Sequence, residues 1–290
     1  MTSAAGSSSK PPSEPVALAE GPTVRMALAL ATAELRDAGC DSPRLDAELL
    51  LADALGTTRT ALHLQPEREL SLGHSDRFAA ALARRRRREP VAYIVGSRGF
   101  RHIELAVDRD VLVPRPETEL LVEVALALPR GARVADVGTG SGAVALALKH
   151  ERPDLEVIGT DASPAALAVA RENAARLGLR IELVEGDLLQ PLDAAPFDAI
   201  VSNPPYVADR AQLAPEIDYE PPGALFAGHD GLDVIRRLVP AAAARAPFVA
   251  LEVGAGQAGA VGRMLRAAGM TDVQAHRDLA GIERVVVGRR

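Results

Sequence analysis

The chain has 290 residues, of which 48% are hydrophobic and 25% charged, and this composition favours one or two globular domains over a disordered chain. The formal net charge of −6 argues against broad binding to nucleic acid. No stretch reaches the roughly 18 uncharged apolar residues that a membrane span requires. The single cysteine, Cys40, excludes an internal disulfide, and the histidines show no metal-ligand spacing. We therefore expect a cytoplasmic protein without a bound metal.

The first 90 residues predict a tail followed by a helical domain. Residues 1–22 are rich in Ser, Pro and Ala and predict a disordered tail. Residues 23–90 predict a small helical domain, since Thr23 can cap a first helix and apolar residues follow at helical spacing. A later helix is expected near 75–88 and ends in five arginines, 84–88. We interpret this run as a solvated helix end that complements the helix dipole, with contact to a macromolecular partner as the alternative.

The remaining chain predicts a hairpin linker and an α/β domain. Residues 91–116 contain three candidate short strands with Gly and Asp turns, at 93–96, 100–105 and 111–113. From 117 to 290 helical segments separate apolar runs, which lie at 134–137, 156–160, 181–184, 199–201, 248–253 and 285–287. Strands alternating with helices predict a parallel, doubly wound sheet.

A glycine-rich loop follows the first strand of this domain, in Gly138-Thr139-Gly140-Ser141-Gly142. Glycines there let the backbone turn tightly and approach a ligand, and Asp161, at the end of the next strand, is placed to accept bonds from ribose hydroxyls. Because the spacing to Ala143 also fits the dinucleotide pattern, the loop leaves a nicotinamide cofactor and S-adenosylmethionine both open. A second glycine string, 254–259, lacks a following βαβ unit with an acid, so we interpret it as a strand turning into a helix.

The turn Asn203-Pro204-Pro205-Tyr206 follows another apolar strand. The prolines stiffen it, and a residue before proline is extended, which aims the Asn203 side chain outward. The Asn203 side-chain carbonyl and the Pro204 backbone carbonyl can together hold both hydrogens of a planar amino group, while Tyr206 can stack on it. Two such acceptors stabilise the positive charge that develops on nitrogen during methylation and align the nitrogen for attack. The turn therefore predicts nitrogen methylation.

These motifs resemble those of the class I S-adenosylmethionine-dependent methyltransferases, a Rossmann-like α/β class. Three further segments, 111–119, 219–232 and 277–284, resemble the peptide chain release factor glutamine methyltransferases, and the resemblance spans roughly 23–290. It implies a helical substrate-binding domain at 23–90, a β-hairpin linker at 91–116 and a catalytic domain at 117–290. The implied reaction transfers the methyl group of S-adenosylmethionine to the side-chain N5 of glutamine in the Gly-Gly-Gln motif of class 1 release factors.

The resemblance also implies roles for individual residues. Those implied to bind the cofactor are Gly138, Thr139, Gly140, Ser141, Gly142, Asp161, Asp187, Leu188 and Asn203. Within this set, the glycine loop holds the methionine portion, Asp161 the ribose, and Asp187 with Leu188 the adenine. Those implied to hold the glutamine amide, and to carry catalysis, are Asn203, Pro204 and Tyr206, with Pro205 completing the substrate contact. Glu117 and Thr118 are implied to lie near the amino-acid end of the cofactor.

Two other functions stay open at this point. A DNA or RNA adenine-N6 methyltransferase uses the same Asn-Pro-Pro-Tyr turn, but the negative charge and the lack of a recognisable base-reading domain weigh against it. A catalytically silent adapter would use the helical domain to bind a partner, and the intact glycine loop weighs against that. We expect a monomer that binds class 1 release factors, with neither a membrane nor stable nucleic-acid partner.

Overall fold

The computed structural model describes residues 21–193, 195–209 and 211–290. The chain divides into two compact units, Met1–Arg87 and Arg88–Arg290. Of the predicted tail, only Gly21 and Pro22 lie within the described residues, and the Pro22 carbonyl accepts a 3.0 Å hydrogen bond from the Leu70 N–H. The domain boundaries at 22, 90 and 116 stay predictions. In the described ranges no helix is both long and apolar enough to cross a membrane, and no group of three or more His, Cys, Asp or Glu residues could hold a metal ion.

From residue 21 onwards, where the first unit is described, it contains four helices: α1 Val24–Asp37, α2 Pro43–Leu55, α3 Arg59–Leu64 and α4 Leu72–Arg86. The Thr23 hydroxyl accepts a 3.3 Å hydrogen bond from the Met26 N–H, so it caps α1 as predicted. The backbone of Gly56 adopts the left-handed helical conformation, and this glycine ends α2. Helix α3 was not predicted, because six residues are too few to show a helical period.

The arginine run 84–88 is more buried than predicted. The Arg85 side chain is 7% exposed, and its Nε donates a 2.8 Å hydrogen bond to the Asp46 carboxylate on α2. Arg86 lies 3.2 Å from Glu34 on α1. The prediction of a solvated helix end is therefore wrong at Arg85, which forms a buried ion pair that joins α4 to α2.

The second unit begins with α5 Val91–Val95 and a hairpin of β1 Ser97–Phe100 and β2 Ile103–Ala106. A hairpin was predicted in this segment, but its strands were placed wrongly. The expected strand at 93–96 is wrong, and the expected strand at 100–105 contains the turn between β1 and β2. A five-residue apolar run cannot be assigned to helix or strand by its period, and Gly96 ends the helix with a φ of +80°. Residues 111–113 are not a strand either. The Val113 N–H donates to the Glu220 carboxylate at 3.2 Å instead of to a backbone carbonyl of a neighbouring strand.

The remaining elements form a seven-stranded sheet with flanking helices. In chain order they are a 3₁₀ turn at Pro116–Thr118, α6 Glu119–Ala125, β3 Arg133–Val137, α7 Ala143–Glu151, β4 Glu156–Asp161, α8 Pro164–Leu177, β5 Glu182–Glu185, β6 Ala199–Ser202, 3₁₀ turns at Pro215–Tyr219 and Pro222–Ala224, α9 Asp233–Arg245, β7 Phe248–Glu252, α10 Ala258–Ala267, β8 Asp272–Arg277 and β9 Glu283–Arg289. Apolar clusters on both faces of the sheet form the core, which explains the continuous apolar runs in its central strands.

The sheet order is β5-β4-β3-β6-β7-β9-β8, and the first five strands in this order are parallel, as predicted. The prediction of a wholly parallel sheet is wrong at its end, because β9 runs antiparallel to both β7 and β8. The connection 278–282 is too short for a crossover, so β8 and β9 form a hairpin. The chain leaves β3 towards β4 and β5, then returns to β6 on the other side. The switch point, where open α/β sheets bind ligands, therefore lies between the carboxyl ends of β3 and β6.

Candidate active site

The loop after β3 is built on glycines with positive φ, which are +73° at Gly138, +56° at Gly140 and +83° at Gly142. The N–H groups of Gly138 and Thr139 both donate to the Thr160 carbonyl on neighbouring β4, at 2.8 and 2.9 Å. A Cβ atom added to Gly138 or Gly140 would meet no atom within 4 Å. The loop is thus fixed to the sheet while its first two glycines border open space.

Buried polar side chains hold the loop from behind. The Asp136 carboxylate accepts hydrogen bonds from the Thr139 hydroxyl at 2.7 Å and from the Ala145 N–H at 3.1 Å. Burial raises the pKa of Asp136 to about 6, against the effect of these two bonds. The fully buried Asn173 donates through Nδ2 to the Ser141 carbonyl at 2.9 Å. These contacts preorganise the loop for a ligand.

Asp161 ends β4 beside this loop. One of its carboxylate oxygens accepts the Gly140 N–H and the other accepts the Ser163 N–H, both at 2.9 Å. Each carboxylate oxygen can accept more than one hydrogen bond, so Asp161 keeps acceptor capacity for a ligand. Asp161 therefore both fixes the glycine loop and presents a carboxylate to the space in front of it.

A cavity of about 430 Å³ opens at this edge of the sheet, within the size range of small-molecule sites. Among the predicted site residues, those that line it are Gly138, Thr139, Gly140, Ser141, Asp161, Asp187, Leu188, Asn203 and Pro205. Three others do not line it, namely Gly142, Pro204 and Tyr206. The structure therefore gathers nine of twelve residues, drawn from four chain segments, around one cavity.

At one end of the cavity Asp187 and Leu188 lie beside α9. The Arg237 guanidinium of α9 forms an ion pair with the Asp187 carboxylate, and both residues line the cavity. Leu188 has a φ of +53°, which is uncommon for a residue with a side chain. Its carbonyl accepts a 2.9 Å hydrogen bond from the Thr160 hydroxyl, which holds this backbone in place. Such strain is found at ligand sites, where surrounding contacts maintain it.

The Asn203 turn closes the other side of the cavity. The Ser202 hydroxyl donates to the Val137 carbonyl at 2.6 Å and fixes the end of β6 to the end of β3. Asn203 donates through Nδ2 to the Thr118 hydroxyl at 3.1 Å, and both side chains line the cavity. Because this contact uses the donor end of the amide, the acceptor Oδ1 is left for a ligand.

Tyr206 lies behind this turn. Its hydroxyl donates a 3.2 Å hydrogen bond to Oε1 of Glu252, which ends β7 and is 1% exposed. Burial, opposed by the hydrogen bond from Tyr206, raises the pKa of Glu252 to about 7. Burial and the Glu252 charge raise the pKa of Tyr206 well above its ordinary value. Tyr206 is thus held against a buried carboxyl group, and its predicted packing on a substrate amide stays a prediction.

Sequence reasoning missed several residues that shape the site: Asn173, Arg237, Glu252 and Gln257. Gln257 accepts the Gly254 N–H at 2.8 Å and donates to the Tyr206 carbonyl at 3.0 Å. The interpretation of 254–259 as a strand turning into a helix is confirmed, because β7 ends at Glu252 and α10 begins at Ala258. Glu252 could have been found from the sequence, because it is an acid that ends the apolar run 248–252. Residues at that end of a strand lie at the edge of the sheet where ligands bind.

Comparison with known proteins identifies the family of the chain. The sequence profile described as PrmC N-terminal domain matches residues 26–96, and the one described as methyltransferase small domain matches 116–220. Release factor glutamine methyltransferase from Geobacter sulfurreducens is 41% identical over 274 residues, covering 92% of this chain and 96% of the relative. The protein of that name from Deinococcus radiodurans is 46% identical over 275 residues, covering 92% and 98%.

A crystal structure of a methyltransferase from Pyrococcus furiosus has the same fold, with a TM-score of 0.51 at 18% identity over 64% of this chain and 87% of that one. The fold and the cavity at its switch point define a class I methyltransferase, an enzyme class that the sequence predicted. Since relatives above 40% identity match almost along their whole length, the chain belongs to the release factor glutamine methyltransferase family. The resemblance stated from the sequence is confirmed.

Proposed function

We propose that this enzyme transfers the methyl group of S-adenosylmethionine to the side-chain N5 of glutamine in the Gly-Gly-Gln motif of class 1 release factors. Family membership gives the substrate class. The observation that carries the chemistry is the Asn203 amide, whose Nδ2 is engaged by Thr118, so that Oδ1 is the free acceptor at the cavity wall. An acceptor there can hold the N–H of a substrate amide.

The cavity fits the cofactor in size and in donor set. Open space beside Gly138 and Gly140 lets the backbone approach the methionine portion, and Asp161 keeps acceptor capacity for the ribose hydroxyls. The remaining cofactor contacts would come from Asp187 and Leu188 at the adenine and from Thr139, Ser141, Gly142 and Asn203 near the methionine. When bound, the cofactor supplies an electrophilic methyl group on a sulfonium.

Asn203 and Pro204 then prepare the nucleophile. An amide nitrogen is a poor nucleophile because its lone pair is delocalised into the carbonyl group. The Asn203 Oδ1 and the Pro204 carbonyl hold its two hydrogens, align the lone pair for in-line attack and stabilise the positive charge that develops. Pro205, which lines the cavity, and Tyr206 flank the planar amide. Neither role requires a strong general base.

A substrate-choice assay tests this proposal against the adenine-N6 alternative. The purified enzyme, labelled S-adenosylmethionine, a class 1 release factor and duplex DNA are combined in one reaction. We expect label in the release factor and none in DNA, and the matched control is a release factor whose Gly-Gly-Gln glutamine is replaced by alanine. Label in DNA alone would assign the adenine-N6 function, and label in the alanine control would contradict the proposed acceptor.

A further inference from the structure

Gln257 lies just before α10, in the second glycine string, 254–259, to which the proposed chemistry gives no role. Its side chain does not cap the helix. Instead, Oε1 accepts the Gly254 N–H at 2.8 Å, and Nε2 donates to the Tyr206 carbonyl at 3.0 Å and to the Asp230 carbonyl at 3.2 Å. The Gln257 side chain therefore joins three segments of the chain, which follow β7, follow β6 and precede α9.

The chemistry of these three partners fixes the orientation of the Gln257 amide. A backbone N–H can bond only to the oxygen of the amide, and a backbone carbonyl can bond only to its nitrogen. The Nε2 group carries two hydrogens, which is one for each of the two carbonyl groups. Turning the amide over would break all three bonds, so the side chain is held in one arrangement.

Gly231 packs against the same Tyr206 carbonyl. A Cβ atom added at Gly231 would lie 2.1 Å from the Tyr206 carbonyl oxygen and 3.0 Å from Nε2 of Gln257. Gly231 also has a φ of +74°, a conformation that favours glycine. Because a side chain at this position would collide with the carbonyl group, only glycine lets the segment before α9 approach it so closely. The Tyr206 carbonyl is thus confined by two segments.

This carbonyl lies at the downstream end of the Asn203 turn. The two prolines of the turn have no N–H with which to anchor it, and their fixed φ makes the turn stiff. Its upstream end is anchored by the Ser202 hydroxyl, which donates to the Val137 carbonyl at 2.6 Å. The bond from Gln257 to Tyr206 anchors the downstream end. A stiff turn that is anchored at both ends holds its acceptor groups in place.

We infer that Gln257 is a positioning residue for methyl transfer: by holding the Tyr206 carbonyl, it sets the position of the Asn203 turn. The inference rests on the proposed function, in which this turn holds both hydrogens of the substrate amide. In-line attack requires the amide nitrogen to be aligned with the methyl group, and a displacement of about 1 Å can lower the rate on the order of 100-fold. Gln257 acts through the turn and contacts neither reactant.

The test replaces the amide by a carboxylate of the same shape, in Gln257→Glu. The carboxylate can still accept the Gly254 N–H, but it has no hydrogen to donate to the Tyr206 or Asp230 carbonyl. We expect kcat for release factor methylation to fall on the order of 10- to 100-fold, with the Kd for S-adenosylmethionine nearly unchanged by calorimetry. Gln274→Glu, the same exchange at an exposed residue of β8, is the matched control and should keep the wild-type kcat.

The number of S-adenosylmethionine sites from the same calorimetry separates positioning from folding. With kcat expressed per site, an unfolded fraction of the variant does not contribute to the result. A purely structural contact would lower the free energy of unfolding in urea and leave kcat per site at the wild-type value. That outcome for Gln257→Glu would overturn the inference.

A second variant reaches the same carbonyl from the other side. Gly231→Ala should displace the Tyr206 carbonyl and lower kcat per site by a similar factor, whereas Gly178→Ala, at φ +65° with nothing within 4 Å, should keep the wild-type kcat. Adding Gly231→Ala to Gln257→Glu should lower kcat little further, because both act through one carbonyl group. Losses that multiply would overturn the inference. If the wild type does not methylate the release factor, the proposed function fails instead, so the two failures are distinct.

Discussion

The burial of Glu252 predicts that the stability difference between the wild type and Glu252→Gln depends on pH. The sign of this dependence follows from the effect of burial on the pKa of the Glu252 carboxyl group. Burial raises the pKa of Glu252 from 4.5 to about 7, so the folded state holds the proton more tightly than the unfolded state. The stabilisation is fully present below about pH 4.5 and is lost as the pH rises through 7. The difference between the two pKa values corresponds to about 3 kcal/mol in the free energy of unfolding.

Tyrosine fluorescence can report this effect on the second unit alone. The chain has no tryptophan, and its three tyrosines, Tyr93, Tyr206 and Tyr219, all lie within Arg88–Arg290. Urea unfolding of the wild type and of Glu252→Gln gives their difference in free energy of unfolding at each pH. We expect this difference, wild type minus variant, to fall by roughly 2–3 kcal/mol between about pH 5 and about pH 8.

Glu151→Gln is the control, because the Arg101 hydrogen bond lowers the pKa of Glu151. A lowered pKa stabilises the folded state at every pH above the ordinary pKa of a glutamate, and this stabilisation is lost only in acid. The difference in free energy of unfolding between the wild type and Glu151→Gln should therefore stay constant between about pH 5 and about pH 8. A Glu252→Gln difference that is equally constant would mean that the carboxyl group is ionised throughout. The argument from burial would then be wrong.

Two further predictions concern the glycine loop. Asp161→Asn should raise the Kd for S-adenosylmethionine roughly 10- to 100-fold, since hydrogen bonds to a charged acceptor contribute about 1.5–3 kcal/mol; an unchanged Kd by calorimetry would remove Asp161 from the site. Gly142→Ala should lower the free energy of unfolding by about 2 kcal/mol or more, because its φ is +83° and the new Cβ would lie 2.9 Å from Leu146. Gly131→Ala, at φ +74° with nothing within 4 Å, should cost only about 1 kcal/mol, and equal losses in urea unfolding would contradict the steric argument.

The sequence predicted the parts of the fold that depend on local patterns. Apolar runs separated by helices located β3, β4, β6 and β7 and hence the edge where ligands bind. The glycine loop and the Asn203 turn lie on neighbouring strands, so their meeting at one cavity follows from the parallel topology. The antiparallel pair β8 and β9 was not predicted, because β8 has a largely exposed, polar sequence with no apolar run.

Contacts between distant segments could not be predicted. Asn203 and Thr118 are 85 residues apart, and Tyr206 and Glu252 are 46 apart. No local pattern shows that a hydroxyl group of one segment fixes the amide of another. The same holds for Arg85, whose burial against Asp46 depends on how α4 packs on α2 rather than on the charge run in which it lies.

The position of the methyl group on the release factor tests the central claim most directly. Tandem mass spectrometry of the release factor after reaction with the wild type and with Asn203→Ala can assign the modified residue, and comparison with an N5-methylglutamine standard can assign the atom. The account predicts one methyl group on the side-chain N5 of the Gly-Gly-Gln glutamine with the wild type, and a loss of at least about 100-fold in rate with Asn203→Ala, while S-adenosylmethionine still binds. A methyl group on another residue, or an Asn203→Ala enzyme as fast as the wild type, would contradict it.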